Sequence, residues 1–169
     1  MNLQLIQYHF GGKDTMIEAA QRYVVDQFFE ELGPGIADAP SLVEAIRGAV
    51  AATWRLAQSH PEIVQPALLL QPVRTRQGEP GSTRERQTHR RLARLLADVS
   101  DRTGESLRVP PEYFAVLVAA GLSGLLLDYR ATGERKRVGG AMEVFSELLV
   151  SLVEPAAGRR KASRGHRAG

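Results

Sequence analysis

At 169 residues the chain is long enough to bury one substantial core and too short for a second full domain. A hydrophobic fraction of 43% beside 24% charge is that of a soluble globular protein, and the absence of cysteine excludes disulfide scaffolds, thiolate zinc sites and cysteine nucleophiles. The net charge of +3 is unevenly placed: Arg159, Arg160, Lys161, Arg164 and Arg167 crowd a tail without acid after Glu154, and subtracting those five from +3 leaves −2 for the body. A basic tail rich in Gly, Ala and Ser, residues 156 to 169, reads as a solvated, disordered terminus, with weak non-specific attraction to nucleic acid as the alternative. Because Arg, Glu, Gln or Asp repeatedly interrupts the apolar segments, no stretch is expected to span a bilayer. The opening Met1-Asn-Leu-Gln-Leu-Ile lacks the pattern of a secretory signal, so the expected location is cytoplasmic, with no membrane involved.

Between breakers the apolar residues recur with a period near 3.6, and no segment sustains a period of two, which predicts an all-α fold. Over residues 13 to 32, Ile17, Ala20, Val24, Phe28 and Leu32 share a stripe, and Gly33-Pro34-Gly35 is expected to stop that helix. Ser41-Leu-Val-Glu44 has the form of a capping box, so a second helix begins there along Ile46, Val50, Trp54 and Ala57. Pro61 opens a shorter helix to about residue 70, and the Pro, Gly and charged residues from 71 to 81 read as a surface loop. A second capping box at Ser82 to Glu85 starts a helix with Leu92, Leu95, Leu96 and Val99 inward and Arg86, Arg90, Arg91 and Arg94 outward, closed by Gly104.

The last two helices differ from the others. After Pro110-Pro111, residues 113 to 127 are almost uncharged, and a helix apolar all round must be covered on all sides. The final helix, about 135 to 154, places Val138, Ala141, Met142, Phe145, Leu148, Leu149 and Leu152 on one seam. Two adjacent antiparallel helices with surplus apolar surface predict a four-helix bundle shared by a homodimer. The candidate interface is Leu122, Leu125, Met142, Phe145, Leu148, Leu149 and Leu152; the alternative is that one monomer core absorbs both helices.

Catalytic constellations are missing. The histidines at 9, 60, 89 and 166 show no pair of metal ligands on one helical turn, and Gly121-Leu-Ser-Gly124 lacks the final Gly of a nucleophile elbow and sits within a helix. Gly121 and Gly124 are instead expected to let helices approach closely. No enzyme activity, metal or cofactor is expected.

Residues 5 to 19 read Leu-Ile-Gln-Tyr-His-Phe-Gly-Gly-Lys-Asp-Thr-Met-Ile-Glu-Ala. This run resembles the junction between the recognition helix and the following helix in the TetR family of bacterial transcriptional regulators. Ile6, Tyr8, His9, Phe10, Lys13, Met16 and Ile17 fill the family's pattern of an apolar residue, an aromatic, His-Phe, a Lys and two further apolar positions. The resemblance implies a TetR-like helical ligand-binding body over residues 13 to 155. It also implies phosphate contacts from Tyr8, His9 and Lys13 to a DNA operator and a core role for Phe10. Gln4 and Gln7 are candidates for bidentate contacts to bases. A complete helix-turn-helix head needs roughly 25 to 30 further residues ahead of the reader. Residues 1 to 12 are therefore expected to be only the last piece of that head, through a start assigned late or a natural product without a working head.

The family's middle helices enclose a small-molecule effector, and here Trp54, Leu68, Leu69, His89, Tyr113, Phe114 and Leu117 supply apolar walls with a few polar handles. The functional expectation is a homodimeric repressor relieved by a small, mainly apolar ligand. The alternative is a helical dimerisation or ligand-binding protein derived from the same family that does not bind DNA.

Overall fold

The computed structural model describes residues 13 to 61 and 83 to 156, with a few side chains near the start of the first and third helices left aside. Those residues are all-α in architecture, as expected. The helices are α1 (Lys13–Ala37), α2 (Leu42–Ser59), α3 (Thr83–Thr103), α4 (Pro111–Thr132) and α5 (Arg135–Val150). The motif at 1 to 12, the helix and loop expected between 62 and 81, and the tail beyond 156 lie outside the described residues.

The central position belongs to α2. Leu42, Ala45, Ile46, Val50, Thr53, Leu56 and Ala57 are buried along it, a broad stripe for one helix. It accordingly packs against α1, α3 and α5, while α4 closes the far side between α3 and α5. Helices α2 to α5 thus form a ring around a core that includes Ile46, Val50, Leu96, Val99, Phe114, Leu122, Met142 and Leu149, and α1 lies against both α2 and α3. An ion pair pins the ring at its surface, where Arg47 donates to both carboxylate oxygens of Glu147 at 2.9 and 3.0 Å. The hydrogen bond from Arg47 holds the Glu147 carboxyl below its ordinary range, against the opposing effect of burial and with a smaller contribution from the Arg47 charge. A depressed carboxylate stabilises the fold above its ordinary titration range, and that contribution fades as pH falls through the folded-state value. Both side chains are exposed, so the effect is small.

The expected stop of α1 at Gly33-Pro34-Gly35 is corrected: the helix runs through it to Ala37. Pro34 removes one backbone bond, to the carbonyl of exposed Glu30, and water can replace it there. Neither Gly33 nor Gly35 takes the left-handed conformation, and Ile36 is buried, which draws the last turn onto the core. The orphan carbonyls of that turn are satisfied from elsewhere. Arg102 donates to Ala37 O at 2.6 Å and Ala39 O at 2.8 Å. Three residues on, Glu105, only 8% exposed, accepts from Leu42 N at 2.5 Å and so caps α2, while the Ser41 hydroxyl accepts from Glu44 N at 3.0 Å. The Ser41 half of the capping box therefore forms as expected, while Glu44 lies 3.8 Å from Arg47.

Gly104 and Gly133 end α3 and α4 in the left-handed conformation, each with its N–H returned to the preceding turn. The final helix stops earlier than expected, at Val150 rather than near 154. Val153 and Glu154 instead pair antiparallel with Leu107 and Ser106, and Val153 is buried. This two-residue ladder corrects the expectation of no strand, because Val153 gains a core position there that a continuing helix would have to reach by another path. A second correction concerns α4. It extends past both ends of the uncharged run to 22 residues, about 33 Å, and is by length and composition apolar enough to cross a membrane. The interruptions counted against a span lie at its margins, and its buried side, including Phe114, Val118, Leu122 and Leu126, is used against the rest of the chain.

Replacing Glu105 by Ala leaves the buried Leu42 N–H without a partner and is expected to lower the unfolding free energy by roughly 1 to 3 kcal/mol. Urea denaturation of Glu105→Ala beside the parent chain measures this, and an unchanged midpoint would remove the capping role.

Candidate binding surfaces

Most of α4 is apolar, and the ring consumes only one of its sides. Among the described residues, six of the seven large hydrophobic side chains left exposed lie on two neighbouring helices: Tyr113, Val116, Leu117 and Leu127 on α4, Val144 and Leu148 on α5. The exposed positions 113, 117, 120, 124 and 127 follow alternating steps of four and three, the 3.5-residue repeat by which one helix presents a continuous seam to another. On α5, exposed Gly140, Val144 and Leu148 recur every fourth residue. The two lines are joined in the middle, where the Phe145 ring lies directly over Gly121 in space that a Cβ would occupy. Gly121 thus permits the close approach of α4 to α5, as the sequence suggested. Gly124 does not, because nothing lies within 4 Å of where its Cβ would stand.

The interface set read from sequence divides accordingly. Leu122, Met142 and Leu149 are buried in the single chain's own core, and Leu125, Phe145 and Leu152 are half-buried against it. Leu148, 61% exposed, alone of that set faces outward. A helix that is apolar on every side carries no periodic signal of which side faces its own core. The uncovered side is therefore built from Tyr113, Leu117, Leu127 and Val144, which were not assigned to an interface.

The residues expected to wall a ligand cavity are also dispersed. Phe114 is in the core, while its neighbour Tyr113 and Leu117, one turn on, stand on the outer side of α4. His89 is half-buried on α3, and Leu68 and Leu69 lie outside the described residues. Trp54 is half-buried near the end of α2, packed edge-on against Tyr129 with ring centroids 4.8 Å apart and close to Gly139 of α5. Tyr129 thus joins Trp54 as an aromatic pair between α2 and α4, a contact across 75 positions that no local pattern signals. A hollow of about 500 Å3 at the start of α5 is lined by Glu134, Arg135, Lys136 and Arg137 and is wide open, unlike the apolar enclosure expected. Arg137 within it is held by Glu134 and, at 2.7 Å, by Asp128. Gln4, Gln7, Tyr8 and His9 lie outside the described residues; Lys13 is the first residue of α1, its side chain not described.

Comparison with protein-family models, with curated proteins and with solved structures returns no match.

The two glycines of α4 separate packing within the chain from exposed surface. Gly121→Ala forces the Phe145 ring aside and is expected to destabilise by roughly 1 to 3 kcal/mol. Gly124→Ala adds helix propensity without meeting any atom of its own chain and is expected to stabilise the single chain by about 0.5 to 1 kcal/mol. Thermal unfolding of both variants checks the pair, and shifts of the same sign would contradict it.

Proposed function

We propose that the chain is the dimerising, ligand-responsive body of a TetR-type transcriptional regulator, acting as a repressor that leaves its operator when a small, mainly apolar molecule binds. The observation that carries the reading is the uncovered α4–α5 face: an antiparallel helix pair with a 3.5-residue apolar seam and no occupant among the described residues. A second copy placed on it completes a four-helix bundle, and such a face left in water would be an aggregation hazard. The motif Tyr8-His9-Phe10 with Lys13 stands at the entrance of α1, the longest helix described, and a two-fold dimer presents two such motifs to a palindromic operator. Tyr8, His9 and Lys13 would then hold phosphates while Gln4 and Gln7 meet base edges.

The effector's place in this reading is beside the Trp54 and Tyr129 pair, between α2 and α4. A ligand that displaces α2 acts on α1 through their shared packing and through α3, whose Arg102 grips the end of α1. The reading involves no catalysis, metal, cofactor or membrane, and its setting is the cytoplasm.

Selection of DNA from a random pool by the natural gene product tests the proposal, with three variants in parallel. The parent is expected to enrich a two-fold inverted repeat. Lys13→Ala should weaken that binding, Leu148→Arg should give a folded monomer that fails to enrich it, and Leu149→Arg, which buries a charge at a position 3% exposed, should not fold. A parent that dimerises but enriches no sequence would favour a dimerisation protein that does not bind DNA. A parent that stays monomeric would end the dimer assignment.

A further inference from the structure

Helix α3 carries a line of exposed arginines that no ion pair among the described residues accounts for. From residue 86 to 97 the helix holds Arg86, Arg90, Arg91 and Arg94 and no acid, and its end then carries Asp98 and Asp101. The helix ends follow the macrodipole, with Glu85 in the first turn and Arg102 in the last, so the run of arginines lies in the stretch between them, where the dipole gives it no support. Arg86, Arg90 and Arg94 also stand four residues apart, where like charges on a helix repel. Arg91 is accounted for: it sits 4.3 Å from the centre of the Phe29 ring and pairs with Asp26 at 3.2 Å. Arg86, Arg90 and Arg94 are exposed, along a line beside the buried Ala93, Leu96 and Val99, and among the described residues no ion pair neutralises them. Three arginines thus form a line with a rise of about 6 Å per step, with no ion pair to any of them among the described residues.

The orientation of α3 says where that line leads. Arg91 reaches Asp26 and Arg102 reaches Ala37, contacts with the same separation of 65 residues, so α3 runs parallel to α1 and in register with it. Arg86 and Arg90 therefore stand level with residues 21 to 25 of α1, in its N-terminal half. The cationic half of α3 points to the end of the body at which α1 begins.

We infer that Arg86, Arg90 and Arg94 form an auxiliary phosphate-binding strip that engages the backbone of double-stranded DNA at the end of the body where α1 begins. This rests on the regulator reading for the choice of DNA, and on charge and placement for the site itself. The strip is sequence-independent: guanidinium groups on phosphates add affinity by releasing condensed counterions and read no bases. The repulsion between arginines four residues apart is then relieved by an external polyanion that neutralises them when bound.

The test compares the parent protein with the triple variant Arg86→Gln, Arg90→Gln, Arg94→Gln, measuring fluorescence anisotropy on the selected operator and on an unrelated duplex across a salt series. Three lost phosphate contacts should weaken binding to both duplexes and make the slope of log affinity against log salt shallower by about 2 to 3. Thermal unfolding serves as the folding control, and the variant should melt at the parent temperature or above it, because repulsion along the helix has been removed. An unchanged slope in a folded variant would overturn the strip. So would arginine-dependent binding to phosphatidylserine vesicles or polyglutamate without binding to duplex. If no operator is selected yet the triple variant still flattens the slope on unrelated duplex, the regulator reading fails and the strip stands; if an operator is selected and the slope is unchanged, the reverse holds.

Discussion

Much of the arrangement depends on the end of α3 and the loop just after it, where Arg102 and Glu105 grip the corner between α1 and α2. The corner joins the C-terminus of one helix to the N-terminus of the next within four residues, so carbonyls and amides of opposite polarity are left without helical partners side by side. A guanidinium satisfies the first set and a carboxylate the second, each with the charge that the local helix end favours. Ser100 further secures the loop by donating to the Glu105 carbonyl at 2.5 Å. With that corner fixed, α1 is tied to α3 along its length and α2 is set in the middle of the ring.

The consequence for legibility is specific. Helix type followed from periodicity, because α2 and α3 each expose one polar side and bury one apolar side. Gly104 ended α3 where expected, in the left-handed conformation that glycine favours. Gly33-Pro34-Gly35 did not end α1, because its termination is decided by Arg102, a partner 65 residues distant. The ladder between 106 to 107 and 153 to 154 was equally hidden, being two residues long on each side.

The candidate surface was half visible. That α4 carries more apolar surface than a helix can bury against its own chain followed from its composition alone. Which residues would be left over did not, because Leu122 and Leu127 look alike in an apolar run and only the position of α3 and α5 distinguishes them. Hence Leu149 was grouped with Leu148, although one lies in the core and the other faces out. The expected ligand set is divided for a related reason: Tyr113 and Phe114 are adjacent in sequence, and a helix turns adjacent residues about 100° apart.

The central claim is that the α4–α5 face is covered by a second copy of the chain. The absence of cysteine allows one spin label per protomer, placed at Glu143→Cys, an exposed position beside Val144, with Arg55→Cys on α2 as a reference. Pulsed electron double resonance should then show a dipolar signal from Glu143→Cys with a short, narrow distance distribution, and a longer one from Arg55→Cys. No dipolar signal from either position at micromolar concentration would contradict the account.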